Sequence, residues 1–328
     1  RALNVNAGLY ANELTTVLGQ NDIHVKDQTV LKVDTINGQS STQTAKPDFA
    51  LDVAQLGGMY AGKIFLVGTE AGLGVRNAGQ INAAENQLTL NANGDLVNTG
   101  NIIANKDQIA IQAHNVANSG NISSTKSQIQ VDAIDIQNSG LIATSDELKL
   151  NAQVKINNDT GVMNAGRIDL SAQNLSNAKG QIQQTGQQEL NITAKTLDNR
   201  QGVIGQATKD NTSGNQTGTT APPITDPEQN SSAQDSSSIT VSEPIDLTPK
   251  TFDAGQIQIA QDIHNVSGQI LNNADIRLNV QDSIINNGGA IQLPELQFNG
   301  QNFENQDGQL IAQVVNITAH NVDNQKGS

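Results

Sequence analysis

Residues 109–122 contain the pattern that decides the fold, Ile109-Ala-Ile-Gln-Ala-His-Asn-Val-Ala-Asn-Ser-Gly-Asn-Ile122. Its second half is a short phrase: an apolar residue, one variable residue, Asn, one or two variable residues, Gly, one variable residue, then Ile, Leu or Met. From Val75 onward the phrase occurs ten times and begins an eleventh, with its Asn at positions 77, 98, 118, 138, 158, 177, 199, 265, 286, 305 and 324. Apart from one long interval these Asn residues lie 19 to 22 residues apart, a period typical of a solenoid.

The first half of the pattern is an alternating segment, in which every second residue is apolar. Ten such segments recur in the same phase, as in Leu88–Ala92 and Ile129–Ala133. Alternation with period two indicates a strand with one buried face, and residues spaced in this way cannot form the apolar stripe of a helix. We therefore predict a right-handed parallel β-helix, all-β, with three short strands in each coil of about 20 residues. Ten coils stacked at about 4.8 Å would extend over about 48 Å.

The composition fits this fold. The 328 residues include no Cys, no Trp and only seven aromatic residues, but 40 Asn and 36 Gln. A narrow core of Ile, Leu, Val and Ala leaves no room for large rings, which explains the few aromatics. We expect Gly and Asn at the corners because both tolerate positive φ, and we expect Asn side chains at equal positions to bond to each other between coils.

The charge excludes one class of partner. A formal net charge of −14 with 18 scattered basic residues argues against nucleic acid, which requires concentrated Lys and Arg. Without Cys there is no disulfide framework and no thiolate chemistry. No apolar run reaches the roughly 18 residues of a membrane-spanning helix. Because the sequence starts at Arg1 without a signal segment, we expect a piece of a longer or processed polypeptide.

The long interval between Asn199 and Asn265 exceeds one coil by about 45 residues. These extra residues hold five of the seven prolines and many Ser, Thr and Gln, a composition that forms no core. The predicted organisation is therefore irregular β-helix coils over 1–74, regular repeats over 75–205, a flexible insertion over 206–250, and further repeats of the same solenoid over 251–328. We favour a mobile surface loop for the insertion over a binding loop.

Deleting residues 206–250 should leave the thermal unfolding midpoint nearly unchanged, because an insertion outside the stack buries little surface. Thermal unfolding followed by circular dichroism measures this. A large drop in the midpoint would mean that the segment packs on the solenoid. Loss of cell binding with an intact fold would instead support a binding loop.

A resemblance to a known family lies in residues 50–79, which read Ala50-Leu-Asp-Val-Ala-Gln-Leu-Gly-Gly-Met-Tyr-Ala-Gly-Lys-Ile-Phe-Leu-Val-Gly-Thr-Glu-Ala-Gly-Leu-Gly-Val-Arg-Asn-Ala-Gly79. This segment resembles a stretch of the filamentous haemagglutinin family, which includes the exoproteins of contact-dependent growth inhibition. There it lies between the secretion domain and the haemagglutinin repeats, which the phrases of this chain also resemble. The sequence has neither the Asn-Pro-Asn of the secretion domain nor the Val-Glu-Asn-Asn that precedes the toxin, so we expect an interior piece.

The resemblance implies a large exoprotein of a Gram-negative bacterium, exported by two-partner secretion to the cell surface. The implied partners are an outer-membrane two-partner-secretion transporter and a surface receptor on a host cell or a target bacterium. The leading hypothesis is a non-enzymatic, monomeric rod that serves adhesion or projects a distal receptor-binding or toxic region, with no nucleic-acid partner.

The alternative is a carbohydrate-active β-helix, since polysaccharide lyases and hydrolases share the fold and use clustered Asp, Lys and Arg on one outer face. The acids nearest to such a cluster are Asp107, Asp132, Asp135 and Asp146, which we interpret as a solvated face. The histidines are His24, His114, His264 and His320, which we interpret as surface residues. His114 and His320 hold the same place in the repeat but are separated by many coils, so they cannot share a metal ion. We therefore predict no catalytic residues, no cofactor-binding residues and no metal ligands.

Overall fold

The computed structural model describes residues 2–19, 21–26, 29–35, 47–186, 189–206, 255–271 and 276–328. In these ranges every regular element is a β-strand, and 31 of the 33 strands join one sheet whose neighbouring strands are parallel. No helix in these ranges is long and apolar enough to cross a membrane.

The strands repeat in coils, and adjoining strands merge into one at several corners. Before residue 207 they are β1 Leu3–Val5, β2 Gly8–Leu18, β3 Asn21–Lys26, β4 Thr29–Thr35, β5 Phe49–Val53, β6 Gly58–Gly68, β7 Gly74–Asn77, β8 Gln80–Ala83, β9 Leu88–Ala92, β10 Leu96–Asn98, β11 Asn101–Ala104, β12 Ile109–Gln112, β13 Asn115–Asn118, β14 Asn121–Ser124, β15 Ile129–Asn138, β16 Leu141–Thr144, β17 Glu147–Asn157, β18 Val162–Ala165, β19 Arg167–Ser171, β20 Asn174–Ser176, β21 Gln181–Gln184, β22 Leu190–Ala194, β23 Thr196–Asp198 and β24 Val203–Gln206. From residue 255 they are β25 Gly255–Ile259, β26 Asp262–His264, β27 Gln269–Leu271, β28 Ile276–Val280, β29 Ser283–Ile285, β30 Ala290–Gln292, β31 Glu295–Glu304, β32 Gln309–Ile311 and β33 Val314–Asp323.

Successive coils stack so that equal positions of the repeat become neighbours. Leu96 of β10 pairs with Val116 of β13, and the apolar residue after each phrase Gly pairs likewise in β11 and β14. The alternating segments pair in the same way in β12 and β15. The prediction of a parallel β-helix with three short strands per coil is therefore confirmed.

The stack continues across the long interval of the sequence. Ile192 of β22 pairs with Ile257 of β25, Leu197 with Ile263, and Ile204 with Ile270. The predicted continuity of the stack is therefore confirmed. Residues 207–254 lie outside the described residues, so the predicted insertion and the effect of deleting it stay predictions.

The core is a column of Ile, Leu, Val and Ala, as expected. It also contains two aromatic rings, so the expectation that large rings do not fit in the core is wrong at this position. Phe298 and Phe303 are 2% and 4% exposed, and their ring centroids lie 6.0 Å apart. Gly300 makes this possible, because a Cβ there would come within 2.8 Å of Cε2 of Phe298. Where most alternating segments end in Ala, this one ends in Gly, and the ring uses the space that a methyl group would fill.

The amino-terminal coils stack on the regular ones. β2 pairs with β6 over its whole length, from Gly8 opposite Gly58 to Leu18 opposite Gly68, and β6 pairs with β8 and β9. One element differs from the prediction of irregular coils. β3 and β4 pair with each other as an antiparallel hairpin outside the parallel sheet, with Asn21 opposite Thr35 and Lys26 opposite Thr29.

Candidate functional site

A continuous ladder of asparagine side chains runs inside the solenoid. The Nδ2 atom of each phrase Asn donates a hydrogen bond to Oδ1 of the phrase Asn in the next coil, over 2.7 to 2.8 Å. The ladder begins at Asn77 and ends at Asn324, and the bond from Asn199 to Asn265 carries it across the long interval of the sequence. The expected bonding between equal Asn positions is therefore confirmed.

Each ladder amide also holds the backbone of the turn beside it. Nδ2 of Asn158 donates to the carbonyl oxygen of Gly161 in its own coil, at 3.2 Å, and to that of Gln181 in the next coil, at 3.1 Å. Asn158 is fully buried. Because a buried carbonyl without a partner costs free energy, these bonds let the chain turn sharply inside the sheet without unpaired polar groups.

The expectation that Asn occupies the corners through positive φ is wrong. Among the described residues with positive φ no phrase Asn appears, and the phrase Gly residues do not have positive φ either. The phrase Asn points inward beside the core, and the Gly is required by close approach. A Cβ on Gly161 would lie 2.6 Å from Oδ1 of Asn158 and 2.7 Å from Nδ2 of Asn138.

Positive φ occurs instead at the extra residue that distinguishes the longer phrases, directly before their Gly. Thr160, Lys179, Gln201, Ser267, Asp307 and Lys326 occupy this place with φ of 51° to 61°, and Gly288 occupies it with φ of 62°. A side chain at such a φ is strained, and a β-branched one more than the others.

Replacing Thr160 with Gly should therefore raise the free energy of unfolding by about 1 kcal/mol, because the strain relieved exceeds the added flexibility of the unfolded chain. Gly288 shows that glycine fits this place in the repeat. Urea denaturation measures the change. The matched variant Thr89→Gly, in strand β9, should be less stable than the parent chain. Equal destabilisation by both variants would contradict the assignment of strain to Thr160.

Charged side chains form pairs between coils on the outer surface. Arg76 donates to Asp52 of the preceding coil, and Arg167 lies 3.5 Å from Glu147 and 3.3 Å from Glu189, which belong to the coils on either side. The hydrogen bond from Arg76 lowers the pKa of Asp52, and burial acts in the opposite direction without cancelling this shift. These pairs are partly exposed, so screening by solvent limits what each of them adds to the stability of the stack.

A second carboxylate with a shifted pKa lies at a corner. Burial alone would raise the pKa of Asp198, but the hydrogen bonds from the side chain and backbone of Arg200 lower it below its ordinary value. A lowered pKa keeps the carboxylate ionised at neutral pH. General-acid catalysis requires the opposite shift, so this group does not resemble the acid of a glycosidase.

The four acids that could have suggested catalysis do not converge. Asp132 accepts hydrogen bonds from Gln130, at 2.8 Å, and from Asn151, at 3.2 Å, and Asp107 accepts one from the backbone of Gln108. Asp135 lies opposite Lys155 in the stack. Within the described ranges, no three His, Cys, Asp or Glu side chains lie close enough together to hold a metal ion.

The histidines are also separate. Nδ1 of His114 lies 3.4 Å from Oδ1 of Asp95 on the surface, His264 lies opposite Asp198 in the stack, and His320 is exposed. His24 lies in strand β3, and its side chain is outside the described residues. The described histidines thus take different surroundings on the outer surface.

Sequence reasoning identified the phrase Asn residues but not their inward direction. The signal was present, because Asn77 follows Val75 by two residues, and a strand places such residues on the same face. The same alternation holds for Leu96 and Asn98. Applying the alternation of buried and exposed residues to the phrase Asn as well predicts that its amide faces the core.

Parallel coils joined by an internal amide ladder define the chain as a β-solenoid. Over 111 residues, or 34% of this chain, it is 44% identical to the protein named toxin CdiA of Yersinia pestis. It is also 45% identical over 100 residues to the protein named tRNA nuclease CdiA-2 of Burkholderia pseudomallei, and 39% identical over 97 residues to toxin CdiA of Escherichia coli, each match covering 30% of this chain. No protein-family model and no solved structure matches significantly.

These homologues are CdiA proteins, so the predicted resemblance to the contact-dependent growth inhibition exoproteins is confirmed. The matched part spans only 3% of the length of each of these three relatives. The nuclease activity in the name of the Burkholderia protein is a property of that whole protein.

Proposed function

We propose that this chain is a rod segment within a large secreted exoprotein of contact-dependent growth inhibition, serving adhesion, the projection of a distal receptor-binding or toxin region, or both. The observation that carries the proposal is the unbroken ladder from Asn77 to Asn324, which links every regular coil to the next. The similarity to CdiA proteins supports the same function.

The physical argument concerns stiffness. Each coil contacts its neighbours through three parallel strand pairings and one buried amide bond, as between the coils of Asn118 and Asn138. Bending the stack between two coils would open backbone hydrogen bonds and a buried side-chain bond on one side at once. Such a structure resists bending and keeps its two ends at a fixed distance, which suits a spacer better than a hinge.

The proposal includes the wider context. The exoprotein would leave the cell through an outer-membrane two-partner-secretion transporter, remain at the bacterial surface, and contact a receptor on a host cell or target bacterium. The segment would act as a monomer without catalytic activity of its own. The division into 1–74, 75–205, 206–250 and 251–328 is part of this proposal.

The test is a pair of deletions in the secreted polypeptide that carries this chain. Removing residues 99–138 takes out two whole coils and joins Asn98 to Ser139, so the ladder and the strand register are kept. We expect surface display and contact-dependent inhibition of target cells to persist. Removing residues 99–128 joins Asn98 to Ile129 and destroys the register, so both readouts should be lost.

If the whole-coil deletion abolished inhibition as completely as the mismatched one, these coils would have a role beyond spacing. The non-enzymatic part has a separate test, the release of reducing ends or unsaturated products from neutral and acidic polysaccharides. Turnover that disappears in Asp132→Asn would contradict it.

A further inference from the structure

Two tyrosines form a stacked pair on the outer surface of the amino-terminal coils. Gly8-Leu-Tyr10-Ala11 in β2 and Gly58-Met-Tyr60-Ala61 in β6 lie in register, so Tyr10 is directly opposite Tyr60. Their ring centroids are 5.0 Å apart and the ring planes differ by 14°. Tyr10 is 73% exposed, whereas most large side chains in the described coils face the core.

The glycine two residues earlier fixes each ring along its strand. A Cβ on Gly8 would lie 2.7 Å from Cε2 of Tyr10, and one on Gly58 would lie 2.6 Å from Oη of Tyr60. In both coils, therefore, the tyrosine ring lies over a glycine, where any side chain would collide with it. Stacking against each other restricts the rotation of the two rings, which reduces the entropy that they lose when a ligand binds.

A shallow groove of about 630 Å³ runs beside the two rings. It is lined by Tyr10, Asn12, Tyr60, Gly62 and Asn82, together with small alanines, and none of its described lining residues is charged. Oδ1 of Asn82, the residue that follows Tyr60 in the stack, is enclosed and has no hydrogen-bond partner within the described residues. The groove therefore combines aromatic surface with amide and phenol groups.

We propose that this groove binds a neutral saccharide. A sugar ring has apolar C–H faces surrounded by hydroxyl groups, and the groove offers an exposed aromatic ring for the first and amides and phenols for the second. Anionic glycans are disfavoured by the net charge of −14 and by the lack of a cation in the lining. A cationic ligand would find no carboxylate among the lining residues that the structure describes.

The chain provides its own probe for this site. It has no Trp and only two Tyr, both in the groove, so tyrosine fluorescence reports on the groove alone. We expect maltohexaose, cellohexaose or chitohexaose to change this emission in a saturable way. The absence of saturation with all three up to about 10 mM, a range that covers millimolar dissociation constants, would overturn the proposal. Saturation only with a sulfated oligosaccharide or with tetramethylammonium would also overturn it.

Variants locate the binding. By isothermal titration calorimetry, Tyr10→Ala should weaken the binding of the saccharide by about tenfold, as expected for an exposed aromatic contact, while Tyr10→Phe should retain most of it. The control is Leu56→Ala, which removes a side chain that is 88% exposed and outside the groove lining. Equal binding by Tyr10→Ala and Leu56→Ala would refute the site. These readouts use the purified chain, so they do not depend on the proposed rod function.

Discussion

Replacing Asn158 with Ala is expected to lower the free energy of unfolding by about 3 to 5 kcal/mol. Asn158 is fully buried, accepts a hydrogen bond from Asn138 and donates one to Asn177, each over 2.7 Å. Alanine would leave Oδ1 of Asn177 without its donor, would remove one acceptor from Nδ2 of Asn138, and would open a cavity between coils. Urea denaturation followed by far-ultraviolet circular dichroism measures the loss.

The control for this variant is Asn151→Ala in strand β17. Asn151 is exposed and makes one side-chain hydrogen bond, to Asp132 at 3.2 Å. Its replacement should change the free energy of unfolding by no more than about 0.5 kcal/mol. Similar losses in the two variants would mean that the ladder adds nothing beyond an ordinary surface bond.

The ladder variant has a second expected signature. Because each coil contacts only its neighbours, a weakened interface in the middle of a solenoid reduces the coupling between the parts on either side. We expect the Asn158→Ala unfolding transition to be broader than that of the parent chain, with a lower dependence on urea concentration. A transition that moves without broadening would indicate that the remaining strand pairings keep the halves coupled.

Replacing Gly161 with Ala is expected to destabilise the chain by about 3 kcal/mol or more, because overpacking against backbone cannot be relieved by a change of rotamer. The added methyl group would lie 2.6 Å from Oδ1 of Asn158 and 2.7 Å from Nδ2 of Asn138, and closer still to the backbone oxygen of Asn138. The same denaturation experiment measures the effect.

Gly68→Ala is the matched control, since the nearest atoms to a Cβ on Gly68 are 3.8 Å away, an ordinary contact distance. Its stability should remain within about 0.5 kcal/mol of the parent chain. If Gly161→Ala were equally harmless, the coils would have to separate easily at this corner, and the requirement for glycine would lie elsewhere.

The sequence was sufficient to predict strands, coils and the stacking of equal positions, because the repeat period determines which residues become neighbours. It did not show why each phrase contains Gly. The repeat period alone cannot distinguish a glycine that is needed for positive φ from one that is needed because neighbouring atoms lie too close for a Cβ. Gly288 has positive φ, whereas Gly161 is required by close contacts.

Other features could not be predicted because they depend on residues whose contacts do not follow from the repeat period. The tyrosine pair lies in coils separated by 50 residues, because the hairpin of β3 and β4 and further residues intervene, so the repeat period did not reveal that Tyr10 and Tyr60 are neighbours. The buried ring of Phe298 depends on the missing side chain of Gly300, a compensation between two positions that composition does not record.

The asparagine ladder also has a direction. Every link has its NH₂ group on the earlier coil and its carbonyl oxygen on the later one, so the amide dipoles add along the stack. At the first link, Oδ1 of Asn77 has no partner among the described residues, and Val53 occupies the equal position of the preceding coil. The aligned amides therefore give the interior a dipole along the stack, comparable in kind to that of a helix. A coil with its ladder amide reversed would place two NH₂ groups against each other on one side and two carbonyl oxygens on the other.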